Sequence, residues 1–181
     1  MLKIKGDNMK KYVLYLFLLT TIYSQEQFSF GMGKNNHGFT LSMVYNFEQP
    51  YFVALGGNIF SSVDDAYDFK PGLFDDPELG KVAESVWIAG GYRINTQSAK
   101  FLIGGGLAFE QGYYKYRDPS EILGDERGIY YVTDDASSKT RPTFYVGSSI
   151  KVGDEESWLQ ELGVSFVSNL SDFNVTFGIP F

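Results

Sequence analysis

The sequence predicts an all-β fold, an eight-stranded antiparallel up-and-down β-barrel that spans a membrane. Two observations carry this prediction. Apolar residues alternate with small or polar ones through eight segments, so each segment has one lipid-type face and one polar face. The connections between these segments also alternate between short and long, and the longest lie at one end of the predicted barrel. A soluble β-sandwich has no reason to sort its long loops in this way.

The N-terminal segment has the pattern of an export signal. Met9, Lys10 and Lys11 begin it, an apolar stretch covers 12–22, and Ser24 precedes a polar residue. This stretch is too short for a membrane helix, which needs about 20 residues. The alternative is a buried N-terminal helix or strand. We expect residues 1–24 to be a signal peptide, with the true start at Met9, and residues 25–181 to form the barrel.

Eight strands follow from the alternation and from the turn residues between them. The first four cover 27–33, 39–47, 51–60 and 84–94, and the last four cover 100–110, 142–152, 158–170 and 173–181. The predicted outward residues of the first four are Phe28, Phe30, Met32, Phe39, Leu41, Met43, Tyr45, Phe47, Tyr51, Val53, Leu55, Ile59, Val86, Ile88, Tyr92 and Ile94. Those of the next three are Phe101, Ile103, Leu107, Phe109, Phe144, Val146, Ile150, Trp158, Leu162, Val164 and Phe166.

The connections and the aromatic residues give the barrel two distinct ends. Turns near 48–50, 95–99 and 153–157 are short, whereas the connections 61–83 and 111–141 are long. Aromatic residues cluster near both ends of the outward faces, as they do at the two lipid–water interfaces. In membrane barrels the short turns are periplasmic and the longer loops are external.

The last segment combines strict alternation with a terminal aromatic residue, and it resembles the C-terminal signature strand of bacterial outer-membrane barrels. Its apolar face consists of Phe173, Val175, Phe177, Ile179 and Phe181. Over residues 25–181 the chain resembles the small outer-membrane β-barrel family, the OmpA- and OmpX-like barrels. The resemblance implies a monomer in the bacterial outer membrane with both termini periplasmic. It also implies recognition of the last strand by the barrel assembly machinery, and contact with outer-membrane lipid and lipopolysaccharide.

The predicted interior is polar or small. An eight-stranded barrel is only wide enough for side chains to fill it, and charges enclosed there must pair. We therefore expect a structural network of inward-facing charges, formed by Arg93, Lys100, Glu110, Lys151 and Glu161.

Composition and motifs argue against most other chemistry. A net charge of −7 disfavours nucleic-acid binding, and the chain has no cysteine and one histidine, His37. We expect no cofactor and no metal centre. Acidic residues in loop 61–83, such as Asp64 and Asp68, have oxygen ligands that suit Ca²⁺ but lack a binding-loop spacing, so a solvated loop is favoured.

Three functions fit these observations. The favoured one is a structural, adhesive or surface-interaction role through the long external loops. Tyrosines in 111–141 are predicted to extend the neighbouring strands as a hairpin above the membrane and to offer a surface for partners. The alternatives are a narrow channel and a lipid A-remodelling enzyme that uses His37 with Ser42 and an acidic residue. The sequence around His37 matches no such enzyme, so no catalytic residue is assigned.

Overall fold

The computed structural model describes residues 28–58, 63, 66–68, 77–119, 124–125, 128–153 and 157–179. The predicted signal peptide lies outside these residues. The strands are β1 Phe28–Asn35, β2 Gly38–Asn46, β3 Tyr51–Gly57, β4 Ala66–Tyr67, β5 Glu78–Asn95, β6 Ala99–Arg117, β7 Ile129–Lys151, β8 Glu161–Val167 and β9 Asp172–Ile179. No helix in the described part of the chain has the length and hydropathy needed to cross a membrane.

Eight of these strands close into a barrel, which confirms the predicted fold class. The order around the barrel is β7, β6, β5, β3, β2, β1, β9 and β8, and β8 pairs back onto β7. All eight pairings are antiparallel. The two-residue strand β4 lies outside the barrel and pairs in parallel with β7. First and last strands meet directly, with Phe30 opposite Phe177.

The seventh predicted strand, 158–170, is shorter in the structure than in the prediction. It begins at Glu161 and ends at Val167, so Trp158 lies in the preceding connection and not on the barrel wall. The chain reverses at 168–171, where Asn169 and Ser171 have φ of 68° and 51°. These left-handed residues end the strand because β pairing requires extended backbone.

The faces of the barrel follow the predicted alternation. Most of the predicted outward residues are exposed, for example Ile103 at 58% and Phe144 at 73%. Phe28 and Met43 are covered, but the register places them outside, because Phe28 is opposite Tyr45 and Met43 is opposite Leu55. Ile59 lies outside the described residues.

Three strands are much longer than predicted. β5, β6 and β7 continue past the barrel as a three-stranded antiparallel sheet, which we call the extension: residues 78–84, 111–117 and 129–138. The predicted loops 61–83 and 111–141 are therefore largely strand where the structure describes them. The prediction of a hairpin above the barrel is confirmed. We call the barrel end that carries the extension the mouth, and the opposite end the base.

Candidate interaction surface and barrel interior

A layer of large aromatic side chains fills the middle of the barrel. Phe52, Trp87 and Tyr145 come from three different strands, and each is no more than 1% exposed. The ring centroid of Tyr145 is 5.2 Å from that of Phe52 and 5.7 Å from that of Trp87. The sequence analysis gave no role to Phe52 or Trp87. Together the three rings belong to one packed hydrophobic core inside the barrel.

A buried carboxylate lies on the mouth side of this layer. Asp172, at the start of β9, is fully buried and accepts hydrogen bonds from Trp87 Nε1 at 2.6 Å and from Thr40 Oγ1 at 2.8 Å. Asn174 Nδ2 is a third donor, at 2.9 Å. This arrangement meets the requirement that a buried charge be fully hydrogen-bonded. The sequence analysis missed this cluster. Asn174 alternates with the apolar residues of the last strand and so faces inward, and the preceding inward position, two residues earlier, is Asp172.

Two members of the predicted charge network meet near the base. Lys100 of β6 forms an ion pair with Glu161 of β8, and Ser149 Oγ donates to Glu161 at 3.0 Å. Both charged side chains are mostly buried, at 18% and 11% exposure. A cavity of about 20 Å³ lies beside the pair, with room for about one water molecule.

The other three members lie apart from this pair. Arg93 is also near the base, where its guanidinium donates to the carbonyl oxygen of Gln49 at 3.4 Å. Lys151 is exposed at the end of β7 and forms no ion pair with any residue that the structure describes. Glu110 lies at the mouth, where its Oε2 is 3.3 Å from His37 Nε2 and its Oε1 is 3.4 Å from Arg141 Nε. The five charges thus belong to separate sites, one of which includes His37.

The arrangement at the mouth does not assemble the alternative catalytic triad. His37 contacts Glu110, whereas Ser42 points into the barrel from β2 and its hydroxyl has no hydrogen-bond partner among the described residues. Metal ligands are likewise not gathered: in the ranges that the structure describes, no three His, Asp or Glu side chains form a group that fits a metal ion. Of the acidic loop, Asp68 and Glu78 are described, but Asp64 is not.

The predicted assembly strand forms β9 and seals the barrel between β1 and β8. Phe173 and Val175 are exposed on the outer face, at 51% and 38%, and Phe177 on the same face is half-buried. Ile179 ends the strand, and Phe181 lies outside the described residues. The apolar face of this segment is thus continuous with the outer surface of the barrel.

The tyrosines of the extension pack together and are not the exposed surface that the sequence analysis expected. Tyr113, Tyr116, Tyr130 and Tyr131 are each 7% exposed or less. The rings of Tyr116 and Tyr130 stack, with centroids 5.6 Å apart and an angle of 21° between their planes. Burial, together with the nearby Glu84 carboxylate that accepts its hydroxyl at 3.0 Å, raises the pKa of Tyr113. These rings form the core of the extension.

A polar contact on one face of the extension ties β5 to β7. Lys81 Nζ is 3.3 Å from Asp134 Oδ2 and lies 4.0 Å from the centroid of the Tyr114 ring. The hydrogen bond to Tyr114 is the main cause that raises the pKa of Lys81. Burial opposes ionisation of Asp134, but the hydrogen bond and charge of Lys81, together with hydrogen bonds from Ser137 and the Ala136 backbone, outweigh it, so the pKa of Asp134 is lowered.

Comparisons with known proteins give weak structural similarities. No family model matches the chain, and no curated protein matches it. The chain is similar to the structure of Ail, the attachment invasion locus protein of Yersinia pestis, with 14% identity, a TM-score of 0.37 and coverage of 84% of this chain and 90% of that one. It is also similar to Neisserial surface protein A (NspA), with 12% identity, a TM-score of 0.40 and coverage of 86% and 94%. Similarity at this level assigns no function.

The architecture itself is clear from the strand pairing. β1 pairs with β9 and β8 pairs with β7, so the sheet has no free edge around the barrel. The outer face carries exposed apolar side chains and the interior carries buried polar and aromatic ones. The chain therefore has the architecture of a closed eight-stranded antiparallel β-barrel with an apolar outer face.

Proposed function

We propose that this protein is a bacterial outer-membrane β-barrel with a structural, adhesive or surface-interaction role, and that the extension presents its interaction surface outside the cell. The observation that carries the proposal is the outer face of the closed barrel. Ile88, Ile103, Val146 and Val164 are each 43% exposed or more around its wall. A continuous exposed apolar surface of this kind is stable in lipid and aggregates in water.

The filled interior favours this role over a narrow channel. The Phe52, Trp87 and Tyr145 layer, the Asp172 cluster and the Lys100–Glu161 pair lie at successive heights in the barrel. Opening a path would require breaking buried hydrogen bonds and moving packed rings, which carries a large energetic cost. In planar bilayers we expect no discrete conductance steps from the purified protein. Regular steps that disappear when Lys100 or Glu161 is changed would favour the channel.

The extension suits a role in surface interaction because it is a preformed sheet. Buried tyrosines and the Lys81–Asp134 contact order its three strands, so a partner need not order them on binding. Its exposed positions include Leu79, Arg117 and Asp135. We infer that these positions, and not the tyrosine rings, meet a partner.

The membrane location is tested by fractionation. We expect the protein to be recovered with the outer membrane and to migrate differently on gels before and after heating, because a closed barrel resists detergent at room temperature. The partners in this setting are outer-membrane lipid, lipopolysaccharide and the barrel assembly machinery. Recovery of folded protein from the soluble periplasm would refute the proposal.

The orientation is tested with single cysteines, because the natural chain has none. Ala136 is exposed in the extension, and Gln97 is exposed in the β5–β6 turn at the base. The two variants are therefore Ala136→Cys and Gln97→Cys. If both termini are periplasmic, a membrane-impermeant maleimide added to intact cells labels position 136 and spares position 97. Both positions should react after lysis. Labelling of position 97 alone in intact cells would show that the orientation is the opposite one, with the extension in the periplasm.

A further inference from the structure

The charged residues that face the barrel interior are divided unevenly between its two ends. Glu110 lies at the mouth and takes part in an ion pair there. On the base side, the inward positions of the described strands carry one acid, Glu161, and three cations, Arg93, Lys100 and Lys151. Lys100 and Glu161 pair with each other, so two positive charges at the base have no counter-charge in the described interior.

The Arg93 guanidinium has donors that the described part of the chain does not use. Arg93 is half-buried on β5, and its Nη2 donates to the carbonyl oxygen of Gln49 over a long distance of 3.4 Å. Its Nε is buried and has no hydrogen-bond partner among the residues that the structure describes. A buried donor without an acceptor is costly. Because a guanidinium presents its N–H groups as a planar fork, it suits the oxygen atoms of a phosphate or a carboxylate.

Arg93 lies on the base side of the aromatic layer. Phe52 of β3 is opposite Gly91 of β5, and Arg93 follows two residues later towards the base. The guanidinium is therefore nearer to the base opening than to the mouth, and an ion from solution meets it from the base.

The other charges around the base opening favour an anion there. Lys100 is on the neighbouring strand β6, one inward position nearer the base than the residue opposite Arg93. Lys151 is exposed at the rim on β7. Glu48, in the β2–β3 turn, is exposed and forms no ion pair within the described ranges. A cleft lined by one sign of charge raises the local concentration of ions of the opposite sign.

We propose that the base of the barrel is a binding site for a phosphate group, with Arg93 as its main contact and with Lys100 and Lys151 supplying the field that attracts it. A phosphate monoester carries a charge of about −1.5 to −2 near pH 7, which matches the two uncompensated cations better than a single carboxylate does. The inference does not depend on the proposed surface-interaction role, because it concerns the opposite end of the barrel from the extension.

A titration of the full chain in uncharged detergent micelles, followed by NMR, measures this binding. The probe is inorganic phosphate, added at constant ionic strength against sodium chloride, and the signals are the Arg93 Nε–H and the Gly91 amide. We expect a saturable shift with a Kd in the millimolar range, as a few charge-assisted hydrogen bonds provide. A parallel titration with methyl phosphate separates the two sources of the group: tighter binding of the ester assigns the site to phosphate esters, and tighter binding of inorganic phosphate assigns it to the free ion.

Variants at the two ends of the barrel separate this site from a general attraction of phosphate. Arg93→Gln should weaken binding about tenfold. Lys151→Gln, which removes only a charge at the rim, should weaken it about two- to threefold. Lys139→Gln makes the same change of charge at an exposed position at the mouth and should leave binding unchanged.

Three results overturn the proposal. One is a wild-type titration that does not saturate, or whose shifts chloride alone reproduces. Another is wild-type affinity in Arg93→Gln. The third is equal weakening by Lys151→Gln and Lys139→Gln, which would show that overall charge, and not the base, attracts phosphate. The first and third comparisons remain decisive even if Arg93→Gln does not fold.

Discussion

Trp87 donates its indole N–H to Asp172 across the width of the barrel, with 2.6 Å between Nε1 and Oδ2. The two residues come from β5 and β9, and three strands separate these on either side. A bond between opposite walls restrains the cross-section of the barrel as a whole. It also holds the start of the last strand, which must close the barrel against β1.

The first prediction concerns this bond. Asp172→Ala leaves the buried donors of Trp87 and Asn174 without their acceptor, and should lower the free energy of unfolding by about 3–5 kcal/mol. Thr40 keeps a second acceptor, Asn174 Oδ1 at 3.0 Å. Trp87→Phe keeps a ring against Tyr145 but removes one donor, so it should cost less. Urea unfolding in detergent micelles, followed by circular dichroism, measures both. Asp135→Asn, at an exposed position, is the control and should stay within about 0.5 kcal/mol of wild type. An Asp172→Ala cost no larger than that of the control would contradict the structural role of the cluster.

The second prediction compares adjacent glycines in β6. A Cβ at Gly106 would clash with the carbonyl oxygen of Ile88, whereas a Cβ at Gly105 would come no closer than 3.6 Å to the carbonyl oxygen of Thr143. The first glycine faces the interior and the second faces outward. We expect Gly106→Ala to cost about 1–3 kcal/mol through overpacking, and Gly105→Ala to be close to neutral. The same unfolding experiment decides between them, and equal costs would mean that the register of β6 is wrong.

The sequence predicted the barrel wall well because lipid imposes a simple rule on it. Lipid-facing positions must be apolar along the whole wall, so alternation identifies most outward residues, including Phe166 and Val164. This requirement for apolar outward residues no longer applies beyond the mouth. Above it the extension packs tyrosines on both faces, and alternation no longer separates inside from outside. This is why the sequence analysis placed 78–83 in a loop and gave no strand bounds for the hairpin that it predicted within 111–141.

A register irregularity adds to this difficulty. Glu110 is opposite Lys139, but Gly112 is opposite Asp134, so four residues of β7 lie opposite Gln111 alone. A run of extra residues in one strand bends it and interrupts the pattern that a period of two would show.

Cross-barrel contacts are harder still to predict. The sequence analysis placed Glu110 in one network with Arg93, Lys100, Lys151 and Glu161, because nothing in the spacing shows that the β1–β2 turn brings His37 over the mouth.

The third prediction is the pH dependence of the extension. The pKa of Asp134 is lowered in the folded protein, so its stabilising contact is present above about pH 3.8 and is lost as the pH falls through the lowered pKa. The pKa of Lys81 is raised, so its contribution is present below about pH 10.5 and is lost as the pH rises through the raised pKa. Protection of the Thr133 and Asp134 amides should therefore be constant from pH 5 to 9 and fall in stronger acid. Asp134→Asn should remove the loss in acid, and a loss that remains in this variant would point to another acid.

The fourth prediction tests which surface meets lipid, with two identical substitutions at different depths. Val164 lies in the middle of β8 and is 43% exposed, whereas Val152 follows the last residue of β7 at the base and is 48% exposed. An arginine at the centre of the bilayer costs about 2–4 kcal/mol, and one near the interface costs about 0–1 kcal/mol. Unfolding in lipid vesicles should therefore show Val164→Arg to be the more destabilising change by at least about 1 kcal/mol. Because the two valines are similarly exposed in the fold, a barrel surrounded by water would tolerate both. Similar small costs in vesicles would show that the wall at Val164 does not face hydrocarbon, and the proposed membrane location would then fail.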